Sequence, residues 1–276
     1  MNPTRRERRR QRRRQQLALG VVAGLAIVAI AVGAASRFGD GDGDKVAAPA
    51  PTSPTTTSTS RPTTTTTLPH EPTLIATANV AEIDVFDTPE ATEPSKTFDN
   101  PWFVNDDPAL PVPLVFSVQE QRDDGWLEVL LPTRPNGSTG WVRQDDVVLS
   151  TTDYRITIEL GAHRLRVFEL DDLVLEDKVA VGAPATPTPT GNYYVVALLQ
   201  APNPNTVYGP YAYGLSGHSD VLETFAGGDA EIGIHGNNDP LVLGTDVTHG
   251  CVRMSNDAIT QLAALLPLGT PVTISS

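Results

Sequence analysis

The sequence predicts a mainly β protein with a short helix close to its C-terminal end. After residue 72 the chain consists of short apolar runs separated by turn residues, and several runs alternate apolar with polar side chains, the period of a half-buried strand. Strands that follow one another across short turns predict antiparallel sheets. The clearest helical spacing occurs at Ile259, Leu262 and Leu266, after Ser255 as the expected N-cap.

Residues 1–16 are strongly basic, with eight arginines and one glutamate and therefore a local charge of +7. The whole chain of 276 residues carries a formal charge of −13, and subtracting the +7 of this segment leaves −20 for the rest. An acidic body argues against nucleic-acid binding by the folded part, because phosphate contacts need Lys and Arg on the binding face. We interpret residues 1–16 as a cytoplasmic basic segment.

Residues 17–35 form a run of 19 residues without a charged or strongly polar side chain, long enough to span a bilayer as a helix. The arginines before this run favour a cytoplasmic N-terminus. We therefore predict a single-pass transmembrane anchor with an extracytoplasmic folded region. The alternative is secretion after signal cleavage at the small residues 33–36, but the run exceeds the usual signal-peptide core of roughly 7 to 15 residues.

Residues 36–72 consist mainly of Thr, Pro, Ser, Gly and Asp. Such a segment has too few apolar side chains to offset the entropy that folding removes. We interpret it as a disordered Thr/Pro-rich linker that holds the folded region away from the membrane.

Residues 73–150 predict a small β domain. One apolar run places Leu127, Val129 and Leu131 on a common face, which suits a strand buried mainly on one side. The stretch GWLEVLLPTRPNGSTGWVRQDDV at 125–147 resembles the closing hairpin of bacterial Src-homology-3-like domains, which implies a small β-barrel-like domain. A generic β domain that acts as a spacer is the alternative.

The pattern of apolar and polar side chains predicts a second folded region at residues 151–276. The runs at 154–160, 163–170 and 173–181 largely alternate apolar with polar side chains and are separated by short turns. This pattern predicts an antiparallel meander of three strands.

Cys251 is the only cysteine of the chain and lies in a part expected to be exported to an oxidising compartment. His235 and His249 precede it by 16 and 2 residues. A thiol is mostly protonated at neutral pH, so a cysteine nucleophile benefits from a neighbouring imidazole. Gly236 and Gly250 are expected to leave room for substrate and to let main-chain N–H groups turn toward an oxyanion.

Each of these residues also has an alternative interpretation. Cys251 could be a buried structural residue, the histidines could serve packing alone, and Arg253 could pair with an acidic neighbour. His235, His249 and Cys251 could form a zinc site, although no second cysteine stands at a familiar spacing. His218, in Ser216-Gly-His-Ser, is interpreted either as part of an ordinary surface loop or as part of a substrate lid.

At these residues the chain resembles the L,D-transpeptidase (YkuD-like) catalytic domain, whose signature is a His, a gap of variable length and then Ser/Thr-His-Gly-Cys. TPTGNYYV at 188–195 and LGTPVTIS at 268–275 resemble further segments of that family. The resemblance covers about residues 154–274 and implies an L,D-transpeptidase-type β-sandwich with a short helix.

The resemblance also implies a role for each site residue. Cys251 would attack an acyl carbonyl, and His235 would be the general base that activates the thiol. His249, Gly250 and Arg253 would shape the site around the oxyanion or the substrate. A main-chain carbonyl is expected to orient His235.

The implied reaction is peptidoglycan L,D-transpeptidation. The thiol would attack a tetrapeptide stem between diaminopimelate and the terminal D-Ala, and an amine of a second stem would resolve the thioester. Water as acceptor would make the enzyme an L,D-carboxypeptidase. No metal or organic cofactor is required. The expected partners are peptidoglycan stem peptides and the membrane through residues 17–35, with no nucleic acid.

The competing hypothesis comes from a different functional class. In it, a catalytically inactive domain and the small β domain form a membrane tether that binds peptidoglycan. Intact Cys251 and His235 favour the enzyme.

Overall fold

The computed structural model describes residues 70–104, 109–225 and 228–276. The predicted basic segment at 1–16, the predicted anchor at 17–35 and the predicted linker as far as residue 69 lie outside the described residues. None of the helices in the described ranges is long and apolar enough to cross a membrane.

The described chain is built mainly from β-strands, numbered here in chain order. They are β1 Thr73–Ala78, β2 Glu82–Val85, β3 Lys96–Asp99, β4 Trp102–Phe103, β5 Pro111–Val112, β6 Val115–Gln121, β7 Trp126–Leu130, β8 Thr139–Arg143, β9 Val147–Thr152, β10 Tyr154–Glu159, β11 Arg164–Glu169, β12 Asp172–Lys178, β13 Val181–Gly182, β14 Gly191–Gln200, β15 Tyr211–His218, β16 Glu231–His235, β17 Asp246–Thr248, β18 Val252–Arg253 and β19 Pro271–Ser275. The α-helix of these ranges, α1, is Asn256–Leu265.

Strands β1 to β9 form what we call the N-terminal module. Its five-stranded sheet has the order β8-β7-β6-β1-β9, and β2 pairs with β3 and β4 with β5 as two small additional sheets. Alternate side chains of these strands face one buried cluster that includes Ile83, Phe116, Leu127 and Val142. The module therefore has an apolar core of its own.

Strands β10 to β19 and α1 form what we call the C-terminal module. Its eight-stranded sheet has the order β12-β11-β10-β19-β14-β15-β16-β18. The predicted meander is confirmed, because β10, β11 and β12 pair as antiparallel neighbours. The last strand, β19, joins this meander to the other half of the sheet by pairing in parallel with β10 and antiparallel with β14.

Helix α1 begins where the sequence predicts. The Ser255 hydroxyl accepts a hydrogen bond from the main-chain N–H of Ala258 at 3.2 Å, which satisfies one of the free amide groups of the first turn. Ala258, Ile259 and Leu262 form its buried face. The predicted mainly β fold with a short helix is therefore confirmed.

Another apolar cluster joins the two modules. It combines Ile75 and Leu130 of the N-terminal module with Tyr194 and Val196 of β14. The expectation that the β7 strand is buried mainly on one side is therefore wrong, because Leu130 on its second face is also covered, at 7% exposure. The limits of the predicted domains at 73–150 and 151–276 stay predictions.

Candidate active site

His235 is the last residue of β16 and is only 4% exposed. Its Nδ1 lies 2.7 Å from the main-chain carbonyl oxygen of Gly236. Because a carbonyl can only accept, this contact requires the proton on Nδ1. The main chain of Val207 also hydrogen-bonds the ring. The orienting group is thus a main-chain carbonyl, the kind of partner that the sequence predicts.

Cys251 follows a tight turn that Thr248 holds in place. The buried Thr248 hydroxyl donates to the Cys251 carbonyl at 2.6 Å and accepts from the Gly250 N–H at 3.2 Å. Gly250 has a φ of +116°, a backbone conformation that side-chain-bearing residues rarely adopt. Sequence reasoning missed the role of Thr248, although a Thr two residues before a Gly is a typical side-chain-stabilised turn.

The segment between β13 and Thr188, the first residue of TPTGNYYV, is hydrogen-bonded to this turn. Thr188 is buried and accepts from the Gly182 N–H at 2.9 Å, which fixes the strand β13. Just beyond that strand, the Ala183 N–H and the Thr186 hydroxyl both donate to the Thr248 carbonyl at 2.9 Å. The turn before the cysteine is therefore fixed both by the Thr248 hydroxyl within it and by two hydrogen bonds from the segment after β13.

The parallel pairing of β16 and β18 places the predicted nucleophile and the predicted base on neighbouring segments. In the register of these strands His235 lies beside Arg253. Cys251, two residues before Arg253, therefore lies beside Gly233, two residues before His235. The main-chain N–H of Gly233 hydrogen-bonds the sulfur, in agreement with this register.

The thiol and the imidazole are both neutral at neutral pH. Burial lowers the pKa of His235 to about 4, and the positive charge of Arg253 acts in the same direction against the hydrogen bond to Gly236. Burial raises the pKa of the Cys251 thiol, against the opposing effects of the Gly233 N–H and of Arg253. The site thus contains a protonated thiol and an unprotonated imidazole on neighbouring segments, not a preformed thiolate–imidazolium pair.

Arg253 supplies the positive charge of the site. Its main chain is fixed to Ala180 by hydrogen bonds in both directions, at 2.8 and 2.9 Å. Its side-chain Nε is buried and has no hydrogen-bond partner among the described residues. The guanidinium charge acts on the pKa values of Tyr208, His235 and Cys251, so Arg253 lies close to all three.

Two exposed aromatic rings flank the site. The Tyr208 ring lies 4.9 Å from that of His235, and the Phe225 ring stacks on that of His249 at 5.3 Å with an interplanar angle of 28°. His249 itself is exposed. Sequence reasoning missed both aromatic residues, because each lies in a loop that meets its histidine only in the folded chain.

Gly236 has a structural role that differs from the expectation. A Cβ at this position would collide with Asn256 Oδ1 and would meet Gly209 Cα at 3.1 Å, so protein atoms already fill the space that was expected to admit substrate. Asn256 Oδ1 accepts from the Asn237 N–H at 2.9 Å, and the Asn237 side chain donates to the Met254 carbonyl at 3.0 Å. These two asparagines, which sequence reasoning also missed, hold the segment that follows His235.

His218 lies outside the group of site residues. It is the last residue of β15 and is 2% exposed, so both interpretations that placed it in a loop are wrong. No three His, Cys, Asp or Glu side chains within the described ranges lie close enough together to hold a metal ion.

Comparison with known proteins gives the family. The family model described as the L,D-transpeptidase catalytic domain, YkuD, matches residues 153–274. The chain is 33% identical over 155 residues to the YkuD protein of Bacillus licheniformis, an L,D-transpeptidase by name, and the match covers 54% of this chain and 86% of that protein. For the YkuD protein of Bacillus subtilis (strain 168) the identity is 31% over 152 residues, covering 53% and 84%. A solved structure described as an L,D-transpeptidase from Mycobacterium smegmatis shares 15% identity at a TM-score of 0.37, covering 58% of this chain and 82% of that one. The chain belongs to the L,D-transpeptidase (YkuD) family.

Proposed function

We propose that this chain is a peptidoglycan L,D-transpeptidase that acts on tetrapeptide stems through an acyl-enzyme on Cys251. The observation that carries the proposal is the pairing of β16 with β18, which places the thiol beside the strand that ends in His235. The hydrogen bond from Nδ1 to the Gly236 carbonyl supports the role of Nε2 as the base.

In the first step, Cys251 Sγ attacks the carbonyl carbon between diaminopimelate and D-Ala while His235 Nε2 takes the thiol proton. A pKa of about 4 keeps the imidazole unprotonated and able to accept. The Gly250 N–H already donates to Thr248, so the Cys251 N–H is the better donor to the oxyanion. The C–N bond then breaks, His235 returns the proton to the leaving amine, and D-Ala and a thioester are formed.

In the second step, the amine of a second stem attacks the thioester carbon. The imidazole takes a proton from this amine, the C–S bond breaks, and the sulfur regains a proton as the thiol is restored. The product is an amide that links two diaminopimelate residues. Water in place of the amine gives a free carboxylate, the L,D-carboxypeptidase side activity.

Arg253 and His249 have supporting roles in this proposal. The unpartnered Nε of Arg253 and the charge that this residue places near the sulfur suit the stabilisation of developing negative charge. His249, exposed and stacked on Phe225, is suited to contact with the substrate rather than to proton transfer from the thiol.

The test is mass spectrometry of muropeptides after incubation of tetrapeptide stems with the chain. The expected result is a dimer joined through diaminopimelate and one D-Ala released for each dimer. Cys251→Ala should form no product, whereas His70→Ala, which changes a histidine of the predicted linker, should retain the wild-type rate. Stem binding by the wild type without any product would favour the inactive peptidoglycan-binding tether.

We also propose that residues 17–35 anchor the chain in the cell membrane, with the catalytic module outside the cytoplasm. The support is the length of the apolar run and the arginines before it. Protease added outside spheroplasts should then cut the linker and release the folded region. Complete protection of the chain would show that the orientation is wrong.

A further inference from the structure

The turn between β7 and β8 of the N-terminal module reaches into the C-terminal module. From this turn the Arg134 guanidinium donates to three main-chain carbonyls, those of Ser219 at 2.7 Å, Leu222 at 2.8 Å and Asp229 at 3.1 Å. Its Nε also lies 3.5 Å from the Asp229 carboxylate. These acceptors belong to the connection between β15 and β16, which we call the clamped loop and which is described at 219–225 and 228–230.

Asn136, on the same turn, holds the point where the clamped loop begins. Its amide nitrogen donates to the His218 carbonyl at 2.8 Å and lies 3.2 Å from the Asp220 carboxylate. Its amide oxygen accepts from the His218 N–H at 2.8 Å. The Asn136 side chain thus satisfies both main-chain groups of the buried His218, which fixes the position and the orientation of the backbone where the clamped loop begins.

The clamped loop has few apolar contacts of its own. Val221 is 54% exposed and Phe225 is 37% exposed. Within the loop, the Ser219 N–H donates to the Ala230 carbonyl at 2.9 Å, and Phe225 and Gly228 exchange two main-chain hydrogen bonds at 3.1 and 3.0 Å. The Ser219 hydroxyl accepts from the N–H groups of Val221 and Leu222 at 3.3 and 3.1 Å. A charged planar group that binds three carbonyls is a stronger constraint than these local bonds, because charge-assisted hydrogen bonds are roughly twice as strong as neutral ones.

The clamped loop contacts the active site through the side chain of Phe225. Phe225 stacks on His249, two residues before the thiol. A continuous set of contacts therefore runs from Arg134 in the N-terminal module, through the loop backbone, to the wall of the site. Cys251 lies immediately before β18 and His235 ends β16, and neither residue is a partner in the hydrogen bonds of Arg134.

We propose that Arg134 is a positioning residue of the active site, which holds Phe225 against His249 and thereby sets the affinity for the donor stem peptide. The N-terminal module is then part of the enzyme's binding site and not a spacer alone. The inference rests on the proposed transpeptidase function for its kinetic consequence, whereas the placement of Phe225 can be measured without turnover.

The kinetic test compares Arg134→Ala with Arg122→Ala in the full-length chain. Arg122 is a matched control in the same module, with a side chain 37% exposed against 36% for Arg134, and it pairs with Asp124 instead of the clamped loop. Arg134→Ala should raise KM for the tetrapeptide donor about tenfold, the equivalent of about 1.4 kcal/mol, with a much smaller change in kcat. Arg122→Ala should leave both constants near the wild-type values.

A second measurement follows the His249 ring by NMR in the full-length chain labelled with carbon-13 in its histidines. The stacked Phe225 ring shifts the His249 signal, so Arg134→Ala should move that signal toward its position in Phe225→Ala. The double variant, Arg134→Ala with Phe225→Ala, should raise KM for the tetrapeptide donor no further than either single variant, since both changes remove the contact between Phe225 and His249. If Arg134→Ala does not fold, Arg134→Lys, which keeps the charge but loses the planar fork, should give the same changes in smaller measure.

The outcomes separate the two proposals. A wild-type chain without turnover contradicts the proposed function, and the NMR comparison still decides the inference. An active wild type in which Arg134→Ala and Arg122→Ala have equal KM values overturns the inference, as does an unchanged His249 signal in Arg134→Ala or additive effects in the double variant.

Discussion

Replacement of His235 by Asn tests whether the imidazole is buried in its neutral form. The amide nitrogen of Asn can donate to the Gly236 carbonyl as Nδ1 does, so the contact is kept while the titrating group is removed. The pKa of His235 is about 4 in the folded chain against an ordinary value of 6.5. Between these values the unfolded chain binds a proton that the folded chain does not, so stability falls as the pH falls. The loss due to His235 is about 1 kcal/mol at pH 5.5 and about 2 to 3 kcal/mol at pH 4.5, and it is absent above pH 7.

The assay is urea unfolding of a fragment that spans residues 64–276, at pH 7.5, 6.5, 5.5 and 4.5. The wild type should lose stability relative to His235→Asn by the amounts given, because every other titrating group is common to both proteins. Burial also lowers the pKa of His218, but His218 is present in both proteins, so its effect cancels in the comparison. His70→Asn should follow the wild-type curve. Equal pH dependence in wild type and His235→Asn would refute the neutral buried imidazole.

Three further predictions concern the chemistry of the site. Alkylation of Cys251 by iodoacetamide should rise steadily with pH to above pH 9, because burial raises the thiol pKa, and a rate plateau between pH 5 and 8 would instead indicate a thiolate–imidazolium pair. His235→Ala should slow acylation by roughly 100-fold or more, whereas His249→Ala should reduce peptide turnover more than it reduces alkylation; the reverse pattern in the same two assays would exchange the roles of the histidines. Thr248→Val should destabilise the fold by about 1 to 3 kcal/mol in urea unfolding and lower turnover, because it leaves the Cys251 carbonyl without its donor. Thr248→Ser, which keeps the hydroxyl, should stay close to wild type in both measurements. Equal losses in the two variants would show that the hydroxyl does not stabilise the turn.

The features that the sequence predicts well depend on neighbouring residues. Ser255 caps helix α1 through Ala258, three residues away, and the antiparallel meander of β10, β11 and β12 follows from alternating side chains and short turns. Such signals are complete within a short window of sequence. The candidate site was predicted only through the order of its motifs, because the pairing of two separate strands places the segment of Cys251 beside that of His235.

The features that the sequence does not predict depend on distant partners. The alternation of side chains predicts that Leu130 lies on the less buried face of its strand, yet Leu130 is buried in one cluster with Tyr194 of the other module. Asn256 supports the segment after His235 from the start of a helix, 19 residues beyond the Asn237 amide that it binds. Arg134 lies 85 residues before the first carbonyl that it binds, in a turn whose composition indicates only a turn.

Mass spectrometry of the intact chain can detect the acyl-enzyme that we propose on Cys251. The chain is mixed with a tetrapeptide stem whose diaminopimelate side-chain amine is acetylated, so that no stem can act as acceptor. The reaction is quenched in acid, and the modified peptide is then mapped. We expect a mass increase equal to the mass of the stem minus the mass of D-Ala, located on Cys251 and absent from Cys251→Ala. Release of D-Ala at the wild-type rate by Cys251→Ala, or an adduct on any other residue, would contradict it.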